Sequence, residues 1–231
     1  MKQSQAKKRD NAMTNKILMG LIALVLGLLF LEILIVHSKN EQQKNASNQV
    51  QTARIMANGD LLYHDGLYMS ALQADGSYDF TENFTYVKPW LKQADLVLGD
   101  FEGTINPDYP LSGYPLFNAP QSVTAAIKDA GYDVMDLAHN HILDSGLEGA
   151  FTTADAFKKV GIDPIGVYEK PVRDKAPLLI KNVNGIKVAI LSYAYGYNGL
   201  ESNLTDKEVA DHLSNLDEKR MKAEIQRAEK E

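Results

Sequence analysis

Apolar residues are distributed along this chain in two ways. Residues 17–36, ILMGLIALVLGLLFLEILIV, form one long run that is interrupted by a single charge, Glu32. From about residue 53 onward, short apolar segments alternate with longer segments in which apolar residues recur at helical spacing. The pattern predicts one long apolar helix, followed by a domain in which strands and helices alternate.

The apolar run has the length and composition of a membrane-spanning helix. At about 1.5 Å per residue it would extend about 30 Å, the thickness of the hydrocarbon core of a bilayer. Five basic residues and one acid precede it, and this basic excess predicts a cytoplasmic N-terminus and an exported remainder. A cleaved signal peptide is the alternative, although the run is long for a signal core and no A-x-A sequence follows it.

We therefore expect a single-pass protein of the cell membrane with an extracellular domain. The predicted divisions are a basic cytoplasmic tail over 1–16, a transmembrane anchor over 17–37, a polar linker over 38–52 and a folded domain over 53–231.

The folded part predicts a series of strands and crossover helices. Strands are predicted in RIMANGD (54–60), DLVLGDFEG (95–103), YDVMDLAHN (132–140) and IDPIGV (162–167). Helices are predicted in ENFTYVKPWLKQA (82–94), APQSVTAAIKDAG (119–131), SGLEGAFTTADAFKKVG (145–161) and NLDEKRMKAEIQRAEKE (215–231). Pro89 is expected to kink or restart the first of these helices. Asn184-Gly185 between two apolar runs predicts a tight hairpin. This alternation favours an α/β fold, with a sheet covered by helices.

Composition and charge limit the chemistry. The 231 residues include no cysteine, which excludes disulfides, thiolate metal sites and cysteine nucleophiles. The whole chain carries a net charge of −6 and residues 1–16 carry +4, so the remainder carries −10. A domain this acidic is not drawn to nucleic acid by its net charge, and we expect no nucleic-acid partner. Its carboxylates could instead hold divalent cations.

Polar side chains follow three of the predicted strands. Asp60 ends the first strand, Asp100 and Glu102 end the second, and Asn140 and His141 end the third. Ligand sites in α/β sheets lie beyond the carboxyl ends of the strands, so these groups should converge. Carboxylate, imidazole and amide groups are ligands of divalent metals, and a bridging carboxylate can hold two ions. Each group alone is also ordinary turn chemistry, so the prediction depends on their coincidence.

Five segments of the domain carry a further signal: ANGDLLYHDG, LGDFEGTI, YPLFNAP, DLAHNHILDSG and SYAYGYNG. Together they resemble the bacterial capsule-synthesis CapA family, also called the poly-gamma-glutamate synthesis domain, which is related to the calcineurin-like metallophosphatases. The resemblance runs from about residue 53 to the end. It implies a metallophosphatase-like sandwich of sheet and helices, and a membrane-anchored, exported protein of capsule polymer synthesis.

The resemblance also implies roles for single residues. His141 would be catalytic, by donating a proton or stabilising charge on the substrate. The side chains implied to bind one or two divalent ions, Mn, Fe or Zn, are Asp60, Asp100, Glu102 and Asn140. The candidates for substrate binding are His64, His139 and Asn118. Metallophosphatases usually carry D-x-H in the first of these segments, whereas Leu61 and Leu62 follow Asp60 here.

The family's pattern continues into further histidine-bearing loops, including a late G-H-x-H sequence that is absent here. The last predicted helix also lacks a Gly or Pro that would end it. We therefore expect a partial metallophosphatase-like domain with its C-terminal part missing. Its metal site should be incomplete, its metal binding weak or absent, and this fragment inactive as a hydrolase.

Two functions remain open. One is a metal-dependent hydrolase or transferase that acts on phosphoester, peptide-like or polymer bonds of an anionic polymer or a phosphoester, with His141 as general acid. The other is a non-catalytic component of an assembly that makes or exports a capsule polymer. In both, we expect the cell membrane and the polymer synthesis and export subunits as partners.

Overall fold

A computed structural model describes residues 19, 27–41, 50–172 and 175–231. The chain divides into two compact units, Met1–Val50 and Gln51–Glu231. In the first unit, residues 27–41 are helical and are called α1. Among the residues that the structure describes, no helix has both the length and the apolar character needed to cross a membrane. The anchor predicted over 17–37 lies partly outside the described residues.

Four parallel strands form the sheet of the second unit. They are, in their order across the sheet, β1 (Ile55–Asp60), β2 (Leu96–Asp100), β3 (Val134–Asp136) and β4 (Asp163–Ile165). In the register of the sheet, Asp60 pairs with Asp100 and Asp100 pairs with Asp136. The carboxyl ends of the first three strands therefore lie side by side, each with an aspartate. The predicted α/β class with a parallel sheet is confirmed.

Helices connect and follow these strands. They are α2 (Asp65–Ala71), α3 (Lys88–Leu91), α4 (Val123–Ala130), α5 (Gly146–Lys159), α6 (Asp206–His212) and α7 (Glu218–Ala228), with 3-10 turns at Thr81–Phe84 and Leu200–Asn203. An antiparallel hairpin joins β5 (Leu179–Val183) to β6 (Ile186–Ile190). Asn184 and Gly185 both have positive φ, 53° and 85°, as the tightest hairpin turn requires.

The hydrophobic core positions the acids of the sheet. Phe101, directly after β2, is 1% exposed, and its ring packs against Phe157 of α5 with ring centroids 5.1 Å apart. A fully buried phenylalanine contributes on the order of 1.5–3 kcal/mol. Because successive side chains of an extended segment point to opposite sides, burying Phe101 directs Asp100 and Glu102 together to the other side.

Three details differ from the predictions. The helix predicted over 82–94 is not continuous: a 3-10 turn is followed by the single turn of α3, which restarts at Pro89 because a proline lacks an N–H and suits only the first turn of a helix. The third strand ends at Asp136 and not at residue 140, since Asp136 Oδ1 accepts the Ala138 N–H at 2.8 Å and turns the chain. Helix α6, begun by a capping box of Thr205 and Glu208, was not predicted.

Candidate functional site

Three acidic side chains converge beyond the ends of β1 and β2. Asp60 and Asp100 are register partners, and the Glu102 carboxyl shares a hydrogen bond with that of Asp60. Burial, and then repulsion from Asp136, Asp60 and Glu102, raises the pKa of Asp100 to about 7. The Oδ1 atom of Asp100 is buried and has no hydrogen-bond partner within the part of the chain that the structure describes. The structure thus brings together the three predicted carboxylates, in surroundings that disfavour the ionised forms of Asp100 and Glu102.

His141 joins this group from the turn that follows β3. Its Nε2 atom lies 3.8 Å from Glu102 Oε1, and the two side chains are 12% and 14% exposed. Burial raises the pKa of the Glu102 carboxyl, and the hydrogen bond and charge of Asp60 add to that rise, while His141 opposes it. One imidazole nitrogen is therefore placed against the acidic cluster, in a partly dry environment where electrostatic interactions are strong.

Three further neighbours contact the His141 ring. Its Nδ1 atom is 2.8 Å from Asp144 Oδ2 and 3.5 Å from Asn198 Nδ2. The Phe117 ring lies 4.8 Å away at an interplanar angle of 88°. These contacts orient the imidazole so that Nε2 faces Glu102.

Asn140, predicted as a metal ligand, contacts a different part of the chain. Its Nδ2 atom donates to Asn198 Oδ1 at 3.3 Å. Asn198 lies in the SYAYGYNG segment after β6 and has a φ of 55°. The Asn140 side chain therefore joins its own turn to the loop that carries Asn198. Its role as a metal ligand stays a prediction.

The two buried side chains predicted to bind substrate hold loops in place. His139 Nδ1 accepts the His141 N–H at 3.1 Å, and burial, with a smaller effect of His141, lowers the pKa of His139 to about 3, which keeps the ring neutral. Asn118 Oδ1 accepts the Asn106 N–H at 2.8 Å, and its Nδ2 donates to three main-chain carbonyls, those of Asn106, Tyr109 and Pro110. Their roles in substrate binding stay predictions.

His64, the third candidate for substrate binding, lies at the edge of the site. It caps α2, because its Nδ1 accepts the Asp65 N–H at 2.8 Å. Its ring lies 5.8 Å from the ring of Phe117. Phe117 therefore contacts both imidazole rings, those of His64 and His141.

Four residues of the site were not predicted: Asp136, Asp144, Phe117 and Asn198. Asp136 follows the apolar pair Val-Met at the end of β3, and that position alone marks it as a third strand-end acid. Asp144 lies in the turn that precedes α5, as Asp-Ser-Gly at this position indicates, but it does not cap that helix. Ser145 is the N-cap residue of α5, without a side-chain capping bond, whereas Asp144 pairs with His141.

The carboxylates of the site are ligands of the kind that a hard divalent cation binds, but they are not arranged around a metal position. Among the residues that the structure describes, no group of three or more His, Asp or Glu side chains is arranged to hold a metal ion. However, Asp60, Asp100 and Glu102 supply oxygen ligands of the right kind. A positive charge would also relieve the repulsion that raises the pKa of Asp100 and would give its unpartnered oxygen a partner.

Comparison with known proteins gives the chain a family. The profile of the family described as "Bacterial capsule synthesis protein PGA_cap" matches residues 54–231. The capsule biosynthesis protein CapA of Bacillus anthracis is 34% identical over 115 residues, which are 48% of this chain and 28% of that protein. The PGA biosynthesis protein CapA of Bacillus subtilis (strain 168) is 25% identical over 189 residues, which are 80% of this chain and 48% of that protein.

A further relative carries no functional name. The uncharacterized protein y4sH of Sinorhizobium fredii is 28% identical over 160 residues, which are 66% of this chain and 32% of that protein. The chain thus spans less than half the length of each of these relatives. Since the family profile covers most of its residues, the chain belongs to the bacterial capsule synthesis protein family PGA_cap.

Proposed function

We propose that this chain acts in the synthesis of a capsule polymer, poly-gamma-glutamate or a related anionic polymer, at the outer face of the cell membrane. Membership of the capsule synthesis family supports the process. The relatives named for capsule biosynthesis and for PGA biosynthesis support the polymer. The apolar run over 17–36, with basic residues before it, supports the anchor and the export of the domain.

We further propose that the acidic cluster and His141 form the reactive centre of a metallophosphatase-like domain. Asp60, Asp100 and Glu102 would hold one or two divalent ions, Mn, Fe or Zn. Bound there, such an ion supplies Lewis-acid polarisation of the scissile group. The observation that carries the proposal is the convergence of these three carboxylates beside a single oriented imidazole.

The chain's own residues have separate tasks in this proposal. His141 Nε2 faces the cluster and donates the proton that the leaving group needs. Phe117, packed against the His141 ring, excludes water from that side. Because Glu102 lies between Asp60 and His141, it couples the charge of the acidic cluster to the imidazole.

The experiment replaces the gene in a polymer-producing bacterium by variants of the full-length protein. His141→Gln and Asp60→Asn should abolish polymer while the amount of protein in the membrane, and its co-purification with the other synthesis and export subunits, stay normal. His212→Gln and Asp129→Asn are matched controls away from the site and should leave polymer unchanged. Normal polymer in the first two variants would refute the catalytic proposal and support a non-catalytic role in the assembly.

A further inference from the structure

Three apolar side chains are exposed together on α3 and the residues just before it. Tyr86 is 88% exposed, Val87 46% and Trp90 64%. Tyr86 and Val87 precede Trp90 by four and three residues, and this spacing places all three on one side of the helical turn. The other side faces inward, because Phe84 is 4% exposed and Leu91 packs against the hydrophobic core. We call Tyr86, Val87 and Trp90 the aromatic patch.

The aromatic patch lies at the edge of the sheet where the chain enters the domain. The Gln93 N–H donates to the Trp90 carbonyl at 2.9 Å, and the Gln93 carbonyl accepts from Arg54 Nη1 at 3.3 Å. Arg54 directly precedes β1, so the patch is next to the amino ends of the strands. The acidic cluster lies beyond their carboxyl ends, and β1 alone separates the two ends by about 15–20 Å.

We propose that the aromatic patch docks on the phospholipid surface of the membrane to which the chain is anchored. The inference rests on the anchor proposed over 17–36. Residues 38–53 can span at most about 55 Å, even when fully extended, so the entry edge of the domain stays close to the bilayer. A short tether of this kind gives an effective concentration of roughly millimolar at the surface. Docking therefore requires only a weak intrinsic affinity for lipid.

The side chains of the patch have the chemistry of the membrane interface. Tryptophan and tyrosine are enriched there, because each ring is apolar at one end and polar at the other. Lys92 is exposed on the next turn, and a lysine can lay its apolar stem along lipid while its ammonium group stays among the headgroups. Exposed apolar side chains that stand singly are common on soluble proteins, but here three are adjacent.

The charges around the patch also favour this face over the rest of the domain. Residues 17–231 carry a net charge of −10, which opposes contact with anionic lipid. Segment 81–95 and the two charged side chains bonded to it carry three positive and three negative charges: Arg54, Lys88, Lys92, Glu82, Asp95 and Asp129. Anionic headgroups therefore repel this face less than the domain as a whole.

Docking through the patch would also orient the reactive centre. The structure holds the patch firmly, since Lys88 donates to Asp129 on α4 and Gln93 Nε2 donates to the Pro89 carbonyl at 3.0 Å. With the amino ends of the strands against the bilayer, the carboxyl ends face away from it. The acidic cluster and His141 would then face the space outside the membrane, where an exported polymer lies.

The test uses the fluorescence of Trp90, which is the one tryptophan of the chain. The full chain is reconstituted at low density into vesicles of phosphatidylcholine and phosphatidylglycerol, with and without bromine on the acyl chains of the lipids. Bromine quenches only a tryptophan that reaches the acyl region. We expect Trp90 to emit at a shorter wavelength than in urea and to lose most of its intensity in the brominated vesicles.

Moving the tryptophan supplies matched controls. Trp90→Phe/Tyr86→Trp keeps the reporter in the patch and should remain quenched. Trp90→Phe/Tyr195→Trp moves it to the loop that carries Asn198, where Tyr195 is 96% exposed. That reporter should emit as in water and should not be quenched. Tyr86→Ser/Val87→Ser removes the apolar neighbours of Trp90 and should reduce its quenching.

Three results would overturn the inference: no quenching of Trp90, equal quenching of the reporter at position 195, or unchanged quenching in the double serine variant. A patch that instead binds a protein subunit or a second copy of the chain would give the first result in these vesicles. If a variant does not fold by circular dichroism, the wild type decides alone. Flotation of the vesicles after an alkaline wash tests the anchor: a chain that does not float refutes the anchor and the docking together, whereas a chain that floats with Trp90 unquenched refutes the docking alone.

Discussion

Replacing Asp100 by asparagine should stabilise the metal-free protein above neutral pH. Burial, followed by repulsion from Asp136, Asp60 and Glu102, raises the pKa of Asp100 from 3.8 to about 7. The folded state therefore keeps a proton that the unfolded state releases at lower pH. The contribution of Asp100 to stability is fully present below the unfolded pKa, and it is lost as the pH rises through the folded pKa. Asparagine has nearly the same shape and does not ionise.

The size of the effect follows from the shift. About three pKa units correspond to about 4 kcal/mol. Because solvent still reaches part of the side chain, we halve this figure to about 2 kcal/mol. The stability difference between the variant and the wild type changes between the unfolded and the folded pKa of Asp100. About two thirds of that change should therefore occur between about pH 5 and about pH 8.

Urea unfolding of the wild type and Asp100→Asn, followed by circular dichroism in the presence of a chelator, measures this difference at the two pH values. The variant should be more stable at the higher pH, by a margin that shrinks at the lower pH. Asp129→Asn is the control, because the hydrogen bond from Lys88 lowers the pKa of the exposed Asp129 carboxyl, so this variant should not gain stability. The reasoning would be refuted if Asp100→Asn were no more stable than the wild type, or more stable by the same amount at both pH values.

Three further variants test the supports of the site by the same unfolding measurement. The His139→Asn side chain can still accept the His141 N–H. Because burial lowers the pKa of His139 to about 3, the free energy of unfolding of this variant should rise relative to the wild type as the pH falls below about 6.5, by up to about 1.4 kcal/mol per pH unit. Parallel curves of stability against pH would contradict this. Asn118→Ala should lose about 2–4 kcal/mol, because it leaves buried main-chain groups unpaired, whereas the exposed Asn83→Ala should change little. Thr205→Ala should lose about 1 kcal/mol with the cap of α6, and an unchanged midpoint would count against that cap.

Local sequence patterns predicted much of the fold. The first two strands and helices α4 and α5 have clear apolar periods and glycine stops. Gly131, for example, ends α4 with a φ of 114°, and Asn184-Gly185 forms the expected turn. In the segment with Pro89 the apolar residues are at helical spacing, but the proline, expected to kink or restart the helix, limits it to one turn.

The proximity of Asp60, Asp100 and Glu102 could be predicted from the sequence, whereas the contacts that hold the histidines could not, for a physical reason. Asp100 and Glu102 follow a strand, where a period of two fixes their common direction. His139 and His141 lie in a turn, where no period applies, and only tertiary contacts show that one ring is buried and neutral while the other faces the acids. The contact of Asp144 with the Phe117 N–H likewise joins residues that are distant in sequence.

The most direct measurement of whether Asp60, Asp100 and Glu102 form one cation site beside His141 is paramagnetic broadening of the histidine NMR signals by Mn²⁺. We expect weak binding that broadens the His141 signals well before those of His212 on α6. The double variant Asp60→Asn/Glu102→Gln should lose this selective broadening. Equal broadening of both histidines in the wild type, or unchanged broadening of His141 in the double variant, would contradict a cation site at the ends of these strands.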